Sequence, residues 1–201
     1  MFMSPKIKMT QEMGNCTRLC VGESCCKTVF HNDQRDEGFV SLTPSFPAKV
    51  IPVDLTTVGQ KLIAKGGAYM SHVGDVSLAA TWDCCPTTCW FGGMGIARQG
   101  ITGTGTVFLE AGGVVLTKVL AAGEVLVVDT DSIVAFQETV ILNVRLQSSV
   151  GMCCLGGEGC FNTTLTGPGL VILQSMSFGK YRAAVAPPPQ QGGDGDGGGG
   201  D

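Results

Sequence analysis

With 201 residues, of which 44% are hydrophobic and 15% charged, the chain can bury a core without a disulfide or metal staple, and this excludes an intrinsically disordered protein. Thirteen basic against seventeen acidic side chains leave a net charge of -4, so no general attraction to phosphate backbones exists and no nucleic-acid partner is expected. Thirty glycines punctuate short apolar runs, as turns between strands do, and no segment shows sustained helical periodicity.

In chain order, Met1-Phe2-Met3-Ser4-Pro5-Lys6 lacks both the apolar stretch of a signal peptide and the Arg-rich amphipathic character of a transit peptide. No run approaches the roughly 18 apolar residues of a membrane span. The expected location is intracellular, cytoplasmic or mitochondrial, where cysteines stay reduced. Ten cysteines fall into three groups: Cys16-x3-Cys20 with Cys25-Cys26, Cys84-Cys85-x3-Cys89, and Cys153-Cys154-x5-Cys160. Cys84, Cys85, Cys89, Cys16 and Cys20 are the candidate zinc ligands. Their spacing departs from the Cys-x2-Cys knuckle, and cysteine is also an ordinary small core residue, so neither a metal nor another cofactor is expected.

Gly38-Phe39-Val40-Ser41-Leu42 is echoed by Gly105-Thr106-Val107-Phe108-Leu109, and the stretch Ile101-Thr102-Gly103-Thr104-Gly105 returns as Leu165-Thr166-Gly167-Pro168-Gly169. These echoes predict three units of one design, at about 1–80, 93–147 and 151–180. Strands are predicted over Val114 to Leu116, Val125 to Val128, Ile133 to Phe136 and Val140 to Leu146, the last ending in strict alternation. Each Gly-x-Gly pair marks a turn entering a strand, and a phosphate-binding reading lacks both the third glycine and the following helix. Asp129-x-Asp131 reads as a turn rather than a calcium loop. His31 and His72 read as a surface loop and a strand end, without the neighbours of a catalytic base. Residues 186–201, rich in Pro, Gly and Asp, read as a disordered tail after a domain at 1–182.

The run Gly157-Glu158-Gly159 through Leu165-Thr166-Gly167-Pro168-Gly169 to Gln174, together with Gly123-Glu124 and Asp129 in the central stretch, resembles the motifs of the altered-inheritance-of-mitochondria family. Ser4-Pro5-Lys6 to Glu23-Ser24 resembles the family's first-half pattern. The resemblance implies an all-β, TRAP-like β-sandwich related to the double-stranded β-helix and built by repetition, with the first unit truncated. It also implies a non-enzymatic interaction or assembly module, linked in fungi to mitochondrial inner-membrane organisation, with no catalytic residue to carry over. The expected partner is protein, including a second copy of the chain through open strand edges; no membrane span and no small-molecule ligand is expected. Two alternatives stand beside this reading: a zinc- or thiol-dependent protein, and RNA binding by fold analogy.

Overall fold

Alternation drives the strands. In the run Thr106–Gly112, Val107, Leu109 and Ala111 are fully buried while Thr106 and Phe108 stay partly exposed, so one face is committed to the core; on the other face Glu110 is buried too, held by Ser45. A computed structural model describes residues 2–14, 24, 26–82, 97–146 and 161–186. Its strands are β1 (Phe2–Met3), β2 (Lys8–Met13), β3 (Cys26–His31), β4 (Val40–Ser41), β5 (Ala48–Asp54), β6 (Lys61–Ala64), β7 (Tyr69–Val73), β8 (Val76–Trp82), β9 (Ala97–Gly103), β10 (Thr106–Gly112), β11 (Val115–Leu120), β12 (Val125–Asp129), β13 (Ile133–Gln137), β14 (Ile141–Leu146), β15 (Phe161–Thr166) and β16 (Gly169–Gln174). One helix follows, α1 (Phe178–Val185).

Every described pairing is antiparallel. A six-stranded sheet runs β11-β16-β13-β6-β9-β8; two three-stranded sheets run β5-β10-β7 and β12-β15-β14; β1-β4 and β2-β3 form two-stranded ladders. One scheme generates this list. In β5–β10 and again in β11–β16, the sixth strand lies between the first and third, and the fifth lies between the second and fourth. β1 to β4 pair as the third to sixth strands of such a set do, third with sixth and fourth with fifth. The second strand of one set, β6, then pairs with the third of the next, β13, and fuses two half-sets into the large sheet.

The all-β expectation holds, and the recurring set divides the chain between Gly112 and Val115, inside the segment 93–147 read from the sequence as one unit. The Gly-x-Gly motif sits between the fifth and sixth strands of a set, so it reports the spacing of the repeat and not where a set begins.

Two apolar clusters fill the spaces between sheets. Leu62, Ile101, Val107, Leu109 and Ile172 belong to one, and Ile133, Phe136, Leu165, Val171 and Leu173 to the other. Among the described residues helix α1, of eight residues, is the one α-helix of a fold otherwise built from strands, and the lack of helical periodicity in the sequence agrees with so little helix. Ser177 caps it by accepting from the Lys180 N–H, and Phe178 and Tyr181 stack on Phe46 at 5.5 and 5.9 Å between ring centres. None of its residues is buried, so it lacks the apolar stripe from which helical periodicity is read. Among the described residues no helix is long and apolar enough to cross a membrane.

Candidate functional site

Of the residues singled out by sequence, Gly123, Glu124, Asp129, Gly167, Pro168, Gly169 and Gln174 are described; Gly157, Glu158, Gly159, Cys84, Cys85, Cys89, Cys16 and Cys20 lie outside the described residues. The described ones close corners of the fold. Gly123 has a left-handed backbone, φ +76°, in the turn between β11 and β12. Its N–H donates to the Gly167 carbonyl at 3.3 Å, and the Gly167 N–H donates back to the Glu124 carbonyl at 2.9 Å. A methyl group at Gly167 would lie 2.3 Å from the Ala121 carbonyl oxygen, so only glycine lets these two turns meet. The Glu124 carboxylate pairs with Lys118 at 2.6 Å and accepts the Ala121 N–H at 2.8 Å. The Lys118 hydrogen bond first, and that N–H second, hold its pKa below the usual glutamate value.

Gly167-Pro168-Gly169 carries the chain from β15 in the three-stranded β12-β15-β14 sheet to β16 in the six-stranded sheet, through a cis bond before Pro168. Gly103-Thr104-Gly105 makes the equivalent crossing from β9 to β10, and a methyl group at Gly103 would stand 2.2 Å from the Asp75 carbonyl oxygen. Both Gly-x-Gly pairs are therefore corners between sheets. Gln174 spans β10 and the turn after β12, accepting from the Gly112 N–H at 2.9 Å and donating to the Asp131 carbonyl at 3.2 Å. Asp129 caps that turn through the Asp131 N–H and pairs with Lys180 of α1 at 2.6 Å. Burial pushes its carboxyl pKa up, but Lys180 and the capping N–H outweigh burial and hold it below the usual aspartate value. The motif residues thus spend their polar groups on the architecture.

Among the described residues, one cavity of about 1170 Å³ lies away from these corners, lined by all of Tyr69–Val73 on β7 and all of Cys26–Phe30 on β3. Val50 and Phe108 contribute from the β5-β10-β7 sheet, and Val40–Leu42 from the segment around β4. Within it Tyr69 Oη and His72 Nδ1 share a hydrogen bond at 2.6 Å, and at its rim Lys27 pairs with Glu12 at 3.1 Å. His72 is thereby placed in β7, beside its predicted strand end. His31 is the last residue of β3 rather than a loop residue, its ring 3.0 Å from Thr10 Oγ1. No single motif marks this cavity in the sequence. Among the described residues no group of three His, Cys, Asp or Glu could hold a metal ion.

A sequence profile of the family described as Mitochondrial biogenesis AIM24 matches residues 1–176. No protein of curated function matches the chain. The chain is similar to a Streptococcus pyogenes protein of known crystal structure, with a TM-score of 0.67 at 18% identity over 91% of this chain and 82% of that one. At that identity the likeness shows the fold, an arrangement shared with a bacterial protein.

Proposed function

The chain belongs to the family described as Mitochondrial biogenesis AIM24, and from that premise we propose that it is a non-catalytic association module that binds a second copy of itself through β11 and β12. The observation that carries this reading is a pair of consecutive edge strands with apolar side chains turned to water. Among the described residues β11 ends the six-stranded sheet and β12 ends a three-stranded one. Val114, Leu116 and Val119 on or beside β11, and Val125 and Val127 on β12, are all more than half exposed, Val119 reaching 72%.

Monomeric proteins usually blunt such edges with lysine, proline or a covering loop, because an open ladder of N–H and C=O groups recruits further strands. Lys118, the charged residue within β11, is drawn instead into the Glu124 ion pair that shapes the turn. The family's description supports placing such a module in mitochondrial biogenesis. Light scattering over a range of concentrations tests the proposal. The native chain is expected to be oligomeric, and Val119→Lys with Val127→Lys is expected to weaken assembly by roughly a hundredfold or more, since burying an unpaired charge costs several kcal/mol. Unchanged circular dichroism of the variant will show that the fold survives. A native chain that stays monomeric at every concentration overturns the proposal.

A further inference from the structure

We infer that a second copy of the chain joins β11 edge to edge and antiparallel, about a two-fold axis through Thr117. This deepens the reading of β11 as an association surface and rests on it, fixing which atoms meet and in which register.

The backbone phase of β11 follows from its pairing with β16. The two strands are antiparallel with Val115 opposite Gln174, which sets Val114 opposite Ser175. The Val114 carbonyl accepts the Ser175 N–H at 2.9 Å and the Val114 N–H donates to the Ser175 hydroxyl at 2.8 Å, so both polar groups of Val114 point toward the β16 side. Bonded and non-bonded pairs alternate along such a ladder. Leu116, Lys118 and Leu120 therefore turn their N–H and C=O groups inward as well, and Val115, Thr117 and Val119 turn theirs outward. The far side of β16 gives the same phase: Leu170, opposite Val119, sends its N–H away from β11 to the Gln137 side chain on β13, at 3.1 Å. Among the described residues β11 pairs with no strand but β16.

Three outward residues, centred on Thr117, make an edge that is complementary to itself. With Thr117 on the axis, Val115 falls opposite Val119 of the second copy and Val119 opposite Val115, and each of these pairs exchanges both N–H···O bonds. An axis at Leu116 or at Lys118 carries one of the three outward residues past the end of β11, and at Lys118 it also sets two ammonium groups face to face. The side chains favour the same register. Val115 and Val119 share one face of the strand, where Val115 packs against the cluster that contains Leu62 and Ile172 while Val119 is left to water. Laying Val119 beside Val115 of the second copy continues that cluster across the axis. On the other face the exposed Leu116 meets the hydrocarbon stem of Lys118, whose ammonium is already held by Glu124.

The test is amide hydrogen exchange of the full chain, resolved residue by residue by NMR at low and high protein concentration, with light scattering on the same samples. The N–H groups of Val115, Thr117 and Val119 are expected to exchange readily in the dilute chain and to slow by roughly tenfold or more on assembly, while those of Leu116, Lys118 and Leu120 are protected at both concentrations. Thr117→Pro removes an outward N–H and no bond to β16, so it is expected to keep the Leu116 and Lys118 protection and to abolish the slowing at Val115 and Val119. If that variant loses the Leu116 and Lys118 protection, its strand has come apart and the native comparison alone decides. A chain that assembles while the three outward amides exchange as fast as in the dilute sample overturns this inference and leaves the self-association standing. Slowing at only two of the three assigns a shifted register and overturns it too. A chain that stays monomeric at every concentration overturns both.

Discussion

Glu124 carries two roles in one side chain, since one carboxylate oxygen meets the Lys118 ammonium and the other accepts the Ala121 N–H, while its own carbonyl takes the Gly167 N–H. Its folded pKa lies below the usual glutamate value. The sign of the linkage follows: the ionised form is favoured by folding, so its contribution is complete above the unfolded value and is lost as pH falls through the lower, folded one. Glu124→Gln keeps the shape and removes the charge. The variant is expected to be less stable than the native chain at neutral pH, with the gap closing as pH drops below 4.5. Urea denaturation at a series of pH values measures this, and a gap that does not change with pH would show that the Lys118 pair contributes nothing. Because Glu124 shapes the turn between the two exposed edges, the same variant tests whether the turn's geometry matters for assembly.

Two glycines separate conformational from steric demand at the level of the turn. Gly123 has φ +76° with open space around a notional methyl group, whereas at Gly167 that group would meet the Ala121 carbonyl oxygen at 2.3 Å and Leu120 Cβ at 2.6 Å. Gly123→Ala is expected to cost about 1 kcal/mol, the left-handed penalty alone. Gly167→Ala forces backbone apart in a packed corner and is expected to cost about 3 kcal/mol. Urea midpoints of the two variants decide it, and equal losses would mean that the corner yields freely. These glycines were also the most legible part of the sequence, because a corner that admits no side chain must repeat whenever the pairing set repeats. What the motif could not reveal was phase: it lies between the fifth and sixth strands, so the start of a set became visible only once β5 and β11 were seen to hold equivalent places. Helix α1 escaped for a different reason, its only sequence mark being the Ser177 cap, with no buried stripe behind it. The cavity left no residue signature at all, since its lining is drawn from segments far apart in the sequence, among them residues 26–30, 69–73 and Phe108.

The molecule as a whole depends on β13 and β16, adjacent strands inside the six-stranded sheet with apolar side chains on both faces. Ile172 and Leu170 of β16 pack into one cluster, and Val171 and Leu173 into the other; β13 does the same with Val134 and Ala135 against Ile133 and Phe136. Neither cluster can lose its packing while the other keeps both strands in place. The two clusters are therefore expected to unfold together, in a single urea transition monitored by circular dichroism. Ile172→Ala and Phe136→Ala, one from each cluster and both about fully buried, are expected to cost roughly 2–5 kcal/mol each while leaving the denaturant slope unchanged. Two resolved transitions, or a variant that melts one set of amide protons and spares the other in hydrogen exchange, would show two independent folding units instead. Single-unit behaviour matters for the proposed function because it keeps the exposed edge rigid: β11 is paired with β16, whose Ile172 and Val171 sit in the two clusters, so a second copy meets a preformed edge and does not bear the entropy of ordering it.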